Sequence, residues 1–291
     1  MLSSLLNLEI SDVVPPDATK KTGARPVWER LALGYRILYA FAGFALLVLN
    51  VLIEKKVVDW DPMVAVWAAC GVGLVALFDN VRLIKFKYDA RERNAARARL
   101  YRPMFSALVA LSDIREGIHV FDLGVSVFKI SRVWFLWCGV IPWSEKRLVR
   151  IVRLRLSDSP NESNVRWTKG KGAIGVCWQS NVAVHHDRRA DAATWGKNGQ
   201  YPSEAQFADL QDDQKRGMNR EEFIQTIDKY GEILAVPMVT PHKGEQLGVL
   251  SVDCLATAYA GPDSQSILQG EDIEAIAVRT ARLTRDDVGK F

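Results

Sequence analysis

Two short stretches hold most of the residues whose chemistry could be put to use. Lys169 to Trp178 reads KGKGAIGVCW and places Gly170, Gly172 and Gly175 at G-x-G-x-x-G spacing. That spacing brings backbone N–H groups to a phosphate when it joins a hydrophobic strand to a helix. The preceding VRWT supplies no such strand, so the glycines read as a turn entering a short helix rather than a dinucleotide site. The second stretch is His185-His186-Asp187. Adjacent strand residues point to opposite faces, so only one imidazole can meet a pocket. With His186 as a switchable donor, Trp178, Trp195 and Tyr201 could stack on a base-like ligand, and Asp253 could form a polar wall. The expected ligand-binding set is therefore Trp178, His186, Trp195, Tyr201 and Asp253, each of which has a plainer reading as a core or solvated residue. Cys70, Cys138, Cys177 and Cys254 are far apart, show no C-x-x-C spacing and read as reduced, inert thiols. No catalytic residue, metal-ligand set or named cofactor is expected.

The elements that must position these residues begin with apolar runs. Leu33 to Ile53 carries Arg36 as its only charge and is long enough to span about 30 Å of hydrocarbon. Pro62 to Phe78 has no charge, and its apolar face extends to Val81 while Arg82 and Lys85 can reach outward. The short EKKVVDWD between them suits a tight hairpin, and Trp28, Tyr35, Tyr39 and Trp60 suit the interfaces. The reading is a transmembrane hairpin over 31–81, with helices about 33–53 and 62–81, following an N-terminal cytoplasmic segment, 1–30.

Residues 82–102 then hold eight Lys/Arg against Asp89 and Glu92, an excess greater than the net +4 of all 291 residues. The rest of the chain is net acidic, which disfavours a general nucleic-acid binder. A local basic segment beside a bilayer favours anionic headgroups instead. Basic residues on both flanks of the hairpin place both termini in the cytoplasm of an inner or plasma membrane, multi-pass protein. Ala65, Ala69 and Gly73 allow close helix approach, and Val81, Ile84, Tyr88, Ala95 and Ala98 fall near a heptad seam, so a homo-oligomer is expected. Segment 82–102 reads as a helical stalk, with Pro103 opening a new helix that Gly117 ends.

Beyond Gly117 the periodicity changes to that of strands, including a half-exposed strand at Leu148 to Ser157 with Arg150, Arg153 and Arg155 on its outer face. Ile233 to Val239 and Gln246 to Val252 read as a strand pair joined by a Pro/Gly loop. Ser203 with Gln206, and Asn219 with Glu222, read as capping boxes of two short helices, and Ile273, Ile276, Ala277 and Thr280 share one face of a closing helix.

VRWTKGKGAIGVCWQSN and ILAVPMVTPHKGEQLGVLSV resemble two landmarks of the GAF domain family: a G-x-G-x-x-G-x-x-W turn entering a helix, and a late A-V-P…G-x-L-x-V strand pair. The resemblance covers residues 103–287. It implies an α+β fold, an antiparallel sheet of about six strands with helices on both faces, and a small molecule held beneath a variable cover, here Asp187 to Tyr230. The cyclic-nucleotide N-K-x-F-x-D-E pattern and a bilin-attaching Cys-His pair are absent. The expected function is a non-enzymatic, membrane-anchored sensor for an unidentified small molecule or partner, signalling through stalk and hairpin or acting as a ligand-triggered membrane effector. The alternatives are a scaffold with an empty pocket and a thiol redox enzyme.

Overall fold

The computed structural model describes residues 62–114, 118–137, 141–158, 165–196, 200–241, 243–259 and 264–291, with a few single positions besides. Two compact units, 1–87 and 88–291, divide the chain. The second is an α+β domain on a five-stranded antiparallel sheet ordered β2-β1-β5-β4-β3. Its strands are β1 (Leu123–Trp137), β2 (Ile141–Arg155), β3 (Val184–Asp187), β4 (Tyr230–Val239) and β5 (Gln246–Leu255). Five strands, rather than about six, are thus found among the described residues.

Period-two alternation assigns the two sheet faces. Val125 pairs with Val252 and Val127 with Leu250 across β1 and β5, while Leu234 and Val236 meet the same residues from β4. This face packs against Leu100, Met104, Leu108 and Leu111 of α1 (Pro62–Ile114) and against Ile273, Ala277 and Ala281 of the closing helix. Each fully buried residue of this kind contributes about 1.5–3 kcal/mol. The other face carries Ser126 opposite Ser251, Phe128 opposite Val249 and Gly124 opposite Asp253. It is covered by α2 (Gly172–Ser180) through Ala173, Ile174, Cys177 and Trp178.

The cover over 187–230 folds as α3 (Glu204–Asp209), α4 (Asp212–Lys215) and α5 (Arg220–Ile227). Both expected capping boxes are formed, on Ser203 and Asn219. The closing helix, α6 (Glu271–Val288), buries Ile273, Ala277 and Thr280 as their spacing predicts.

Pro103 does not open a helix. It lies inside α1, which runs unbroken from Pro62 to Ile114. Proline removes one helical N–H bond at about 3 kcal/mol, but Leu100, Met104, Leu108 and Leu111, all at most 1% exposed, form one continuous stripe that spans it. The basic face expected on β2 is also revised. The Arg155 side chain is 3% exposed and ion-paired with Asp253, and Arg150 lies 5.4 Å over the Phe128 ring. Phe128 comes from β1 and Asp253 from β5.

Among the described residues no helix is long and apolar enough to cross a membrane. The expected crossing at 33–53 falls almost wholly outside the described residues, and the stretch 62–78 is the start of α1. Arginines of the basic segment have protein partners: Arg93 Nε donates to the Asp89 carbonyl at 3.2 Å, Arg97 lies 5.8 Å from the Phe291 ring and Arg99 bonds Asp287 at 2.8 Å.

Candidate functional site

Three features of the chain build a cavity on the second sheet face. The strands provide its floor, because Ser126, Phe128, Ser251 and Asp253 are the inward residues of β1 and β5. The glycine turn provides its rim. Gly170 and Gly172 have φ of 76° and 60°, values that favour glycine, and a Cβ on Gly175 would collide with the Thr168 carbonyl. This is the physical content of the G-x-G-x-x-G spacing: it lays the first turn of α2 close to the sheet. The cover completes the enclosure with Met218 and Thr226.

The cover is fastened to the glycine turn. Lys171 Nζ bonds Glu222 at 2.8 Å and the Gly172 N–H donates to the Arg216 carbonyl at 2.7 Å, while within the cover Gln214 Nε2 donates to Asp191 at 2.7 Å. The cavity is partly open to solvent and has a volume of about 30 Å³. A single water needs roughly 10–15 Å³ of such space, so this one suits a few waters or the head of a compact ligand.

Of the five expected site residues, the structure brings only His186 and Asp253 to this cavity. Trp178 packs in the α2 core beside Ile174 and Cys177, with Lys169 Nζ 5.6 Å over its ring. Trp195 leans on Met218, Phe223 and Ile227, and Tyr201 is 38% exposed, its hydroxyl donating to Asp228 at 3.4 Å. Both are absent from the lining: Trp195 belongs to the cover's own small core and Tyr201 lies at the surface.

Electrostatics distinguish the two histidines. His186 is buried, and its pKa falls to about 2 because burial and then the neighbouring Arg188 disfavour the cation. It is a neutral ring. His185, on the opposite face, lies 3.4 Å from Glu232. Burial alone would raise the Glu232 pKa, but hydrogen bonds from His185, the Leu268 N–H and Ser266 hold it below the ordinary range.

The cationic members of the site were not legible as such. Arg188 is 1% exposed and Arg150 lines the cavity, as does Ser163. Arg188 sits in the run HHDRRAD, which has the look of a solvated charge cluster. The usable signal was Ser126 in LGVSVFK and Ser251 in GVLSVDC: polar residues inside strands otherwise apolar on both faces mark a place where the sheet meets something polar.

Thiol chemistry is disfavoured, since burial raises Cys177 and Cys254 to about 12. Among the described residues no cluster of three or more His, Cys, Asp or Glu could hold a metal. Neither a known protein family nor a curated protein matches the sequence.

Proposed function

We propose that the chain is a membrane-anchored, GAF-like sensor that binds a small molecule between its sheet and the α2–α5 cover and passes the signal along α1 to a transmembrane hairpin. The observation that carries this is the small, partly open cavity whose floor is polar, with Ser126, Ser251 and Asp253 all at most 6% exposed. A purely structural core favours apolar residues there, because each buried polar group must be satisfied. The antiparallel sheet with helices on both faces, and the glycine turn entering α2, support the family likeness.

Anchoring is supported by side chains on α1: Met63, Val66, Trp67, Leu74, Leu77 and Phe78 are each more than half exposed. They suit lipid, and with residues 33–53 they compose the proposed hairpin in an inner or plasma membrane with both termini cytoplasmic. The same apolar face favours a second reading, a scaffold that associates through α1 into a homo-oligomer without any ligand. The uninterrupted α1 supports transmission in the first reading and simple presentation in the second.

The test is a thermal-shift panel of metabolites on the detergent-solubilised full chain, read against Ser126→Leu, which fills the cavity floor. A ligand at a hundred times its Kd stabilises by about 2.7 kcal/mol. A shift of several degrees that Ser126→Leu abolishes is expected. No shift with any compound, from a protein that melts cooperatively, would leave the scaffold reading.

A further inference from the structure

We propose that this cavity takes a compact oxyanion, the carboxylate or phosphate group of a small molecule, on the Nε–Nη2 edge of Arg188. The inference rests on the sensor reading above and gives its ligand a charge.

Arg188 follows β3 and is buried at 1% exposure. Its Nη1 donates to the Thr226 carbonyl at 3.3 Å, and its guanidinium lies 5.4 Å over the Phe223 ring. Those contacts fix the side chain and leave Nε and Nη2 without a hydrogen-bond partner. The two free groups share one edge of the guanidinium, the planar fork that matches two oxygens of a carboxylate or phosphate. Burying such a cation without an anionic partner is costly.

The protein's own carboxylates are engaged elsewhere. Asp253 is ion-paired with Arg155, Glu232 accepts from Leu268 N–H at 2.6 Å, and Asp191 accepts from Gln214. Among the described residues Arg188 forms no ion pair, although Asp191 acts on it through space. Burial draws its pKa down to about 10, which leaves it charged at neutral pH.

Two further observations converge on the same cavity. Ser163 Oγ is buried, lacks a partner and belongs to a lining residue, so it offers a third donor. Gly172, Ala173 and Ile174, the first turn of the nine-residue α2, also line it, the Gly172 N–H being already given to the Arg216 carbonyl. A helix start carries N–H groups with no partner inside the helix and a partial positive charge. Phe128 and Trp167 supply an apolar wall, so the complement is a small molecule with one anionic end.

Calorimetry and thermal midpoints of the full chain in detergent, at ionic strength fixed with NaCl, decide the matter. The probes are inorganic phosphate, acetate and the neutral isostere acetamide, and which anion binds separates the phosphate and carboxylate sources. Phosphate or acetate should raise the midpoint by several degrees while acetamide does not. Arg188→Met should weaken that binding at least tenfold, with Arg188→Lys intermediate because an ammonium keeps the charge but loses the fork. Should Arg188→Met fail to fold, Arg188→Lys and Ser163→Ala carry the comparison. Anion binding unchanged in these variants places it elsewhere and overturns the proposal. Neutral metabolites binding in a Ser126→Leu-sensitive way, with no anion effect, would overturn the anionic class while the sensor reading stands. Silence from anions and neutral compounds alike would remove both.

Discussion

His186 shows how one side chain ties the site to stability. Its folded pKa is pulled far below the usual value of 6.5, by burial and by Arg188. The unfolded chain therefore binds a proton that the folded chain does not. The stability this difference supports is complete above about pH 6.5 and is lost as pH falls toward about 2, at up to about 1.4 kcal/mol per pH unit. Chemical denaturation of the wild type between pH 7 and 5 should show the midpoint dropping, and His186→Gln should flatten that slope relative to wild type. Equal slopes would mean that His186 is solvated in the native state. The same residue illustrates what sequence reasoning can and cannot see. That no more than one histidine of the pair could face a pocket followed from strand alternation alone. That Arg188, two residues on, lies in the same pocket did not, because a charge run is ordinarily solvated, and only the packing of Phe223 and Thr226 shows this one enclosed.

At the scale of elements, the paired strands β4 and β5 were legible because their apolar runs and the Pro/Gly loop between them reflect burial on both faces. Helix α1 was not, because a proline at an isolated helix start and one inside a packed helix look alike in sequence. The two cases predict opposite effects of Pro103→Ala. Inside α1 the alanine restores an N–H donor to the Arg99 carbonyl and relieves the ring's crowding, so stability should rise by about 1–3 kcal/mol. At a helix start the missing N–H costs nothing, and the change should be neutral or slightly unfavourable. Urea denaturation of the full chain with a tertiary fluorescence signal distinguishes them, and a loss of stability would restore the two-helix reading. The misplacement of Arg150 and Arg155 has the same origin: β2 lies at the sheet's edge, where alternation suggests one solvated face, yet β1 brings Phe128 and β5 brings Asp253 within their reach.

The whole molecule poses a question of attachment, and the charges divide in a way that makes it answerable. Within the basic segment Arg97 and Arg99 have partners in the C-terminal residues, so they serve the domain. Arg82, Lys85 and Lys87 lie on α1 just beyond the apolar stretch that ends at Phe78, and under the proposed anchoring they are the residues that would meet headgroups. Each such cation near an anionic surface is worth about 1 kcal/mol and is screened by salt. A transmembrane hairpin is held by buried hydrocarbon and is indifferent to salt. Under the proposed hairpin, the full chain reconstituted with phosphatidylserine-containing vesicles should stay with them through 1 M NaCl and an alkaline carbonate wash. Replacing Arg82, Lys85 and Lys87 with Gln should leave that wash resistance intact and instead disturb orientation, read as protease access to the C-terminal domain from outside the vesicle. Release by salt alone would reduce the attachment to surface electrostatics and remove the hairpin. Retention only with anionic lipid, lost in the Gln variant, would lead to the same conclusion by a second route, because hydrocarbon burial does not depend on headgroup charge.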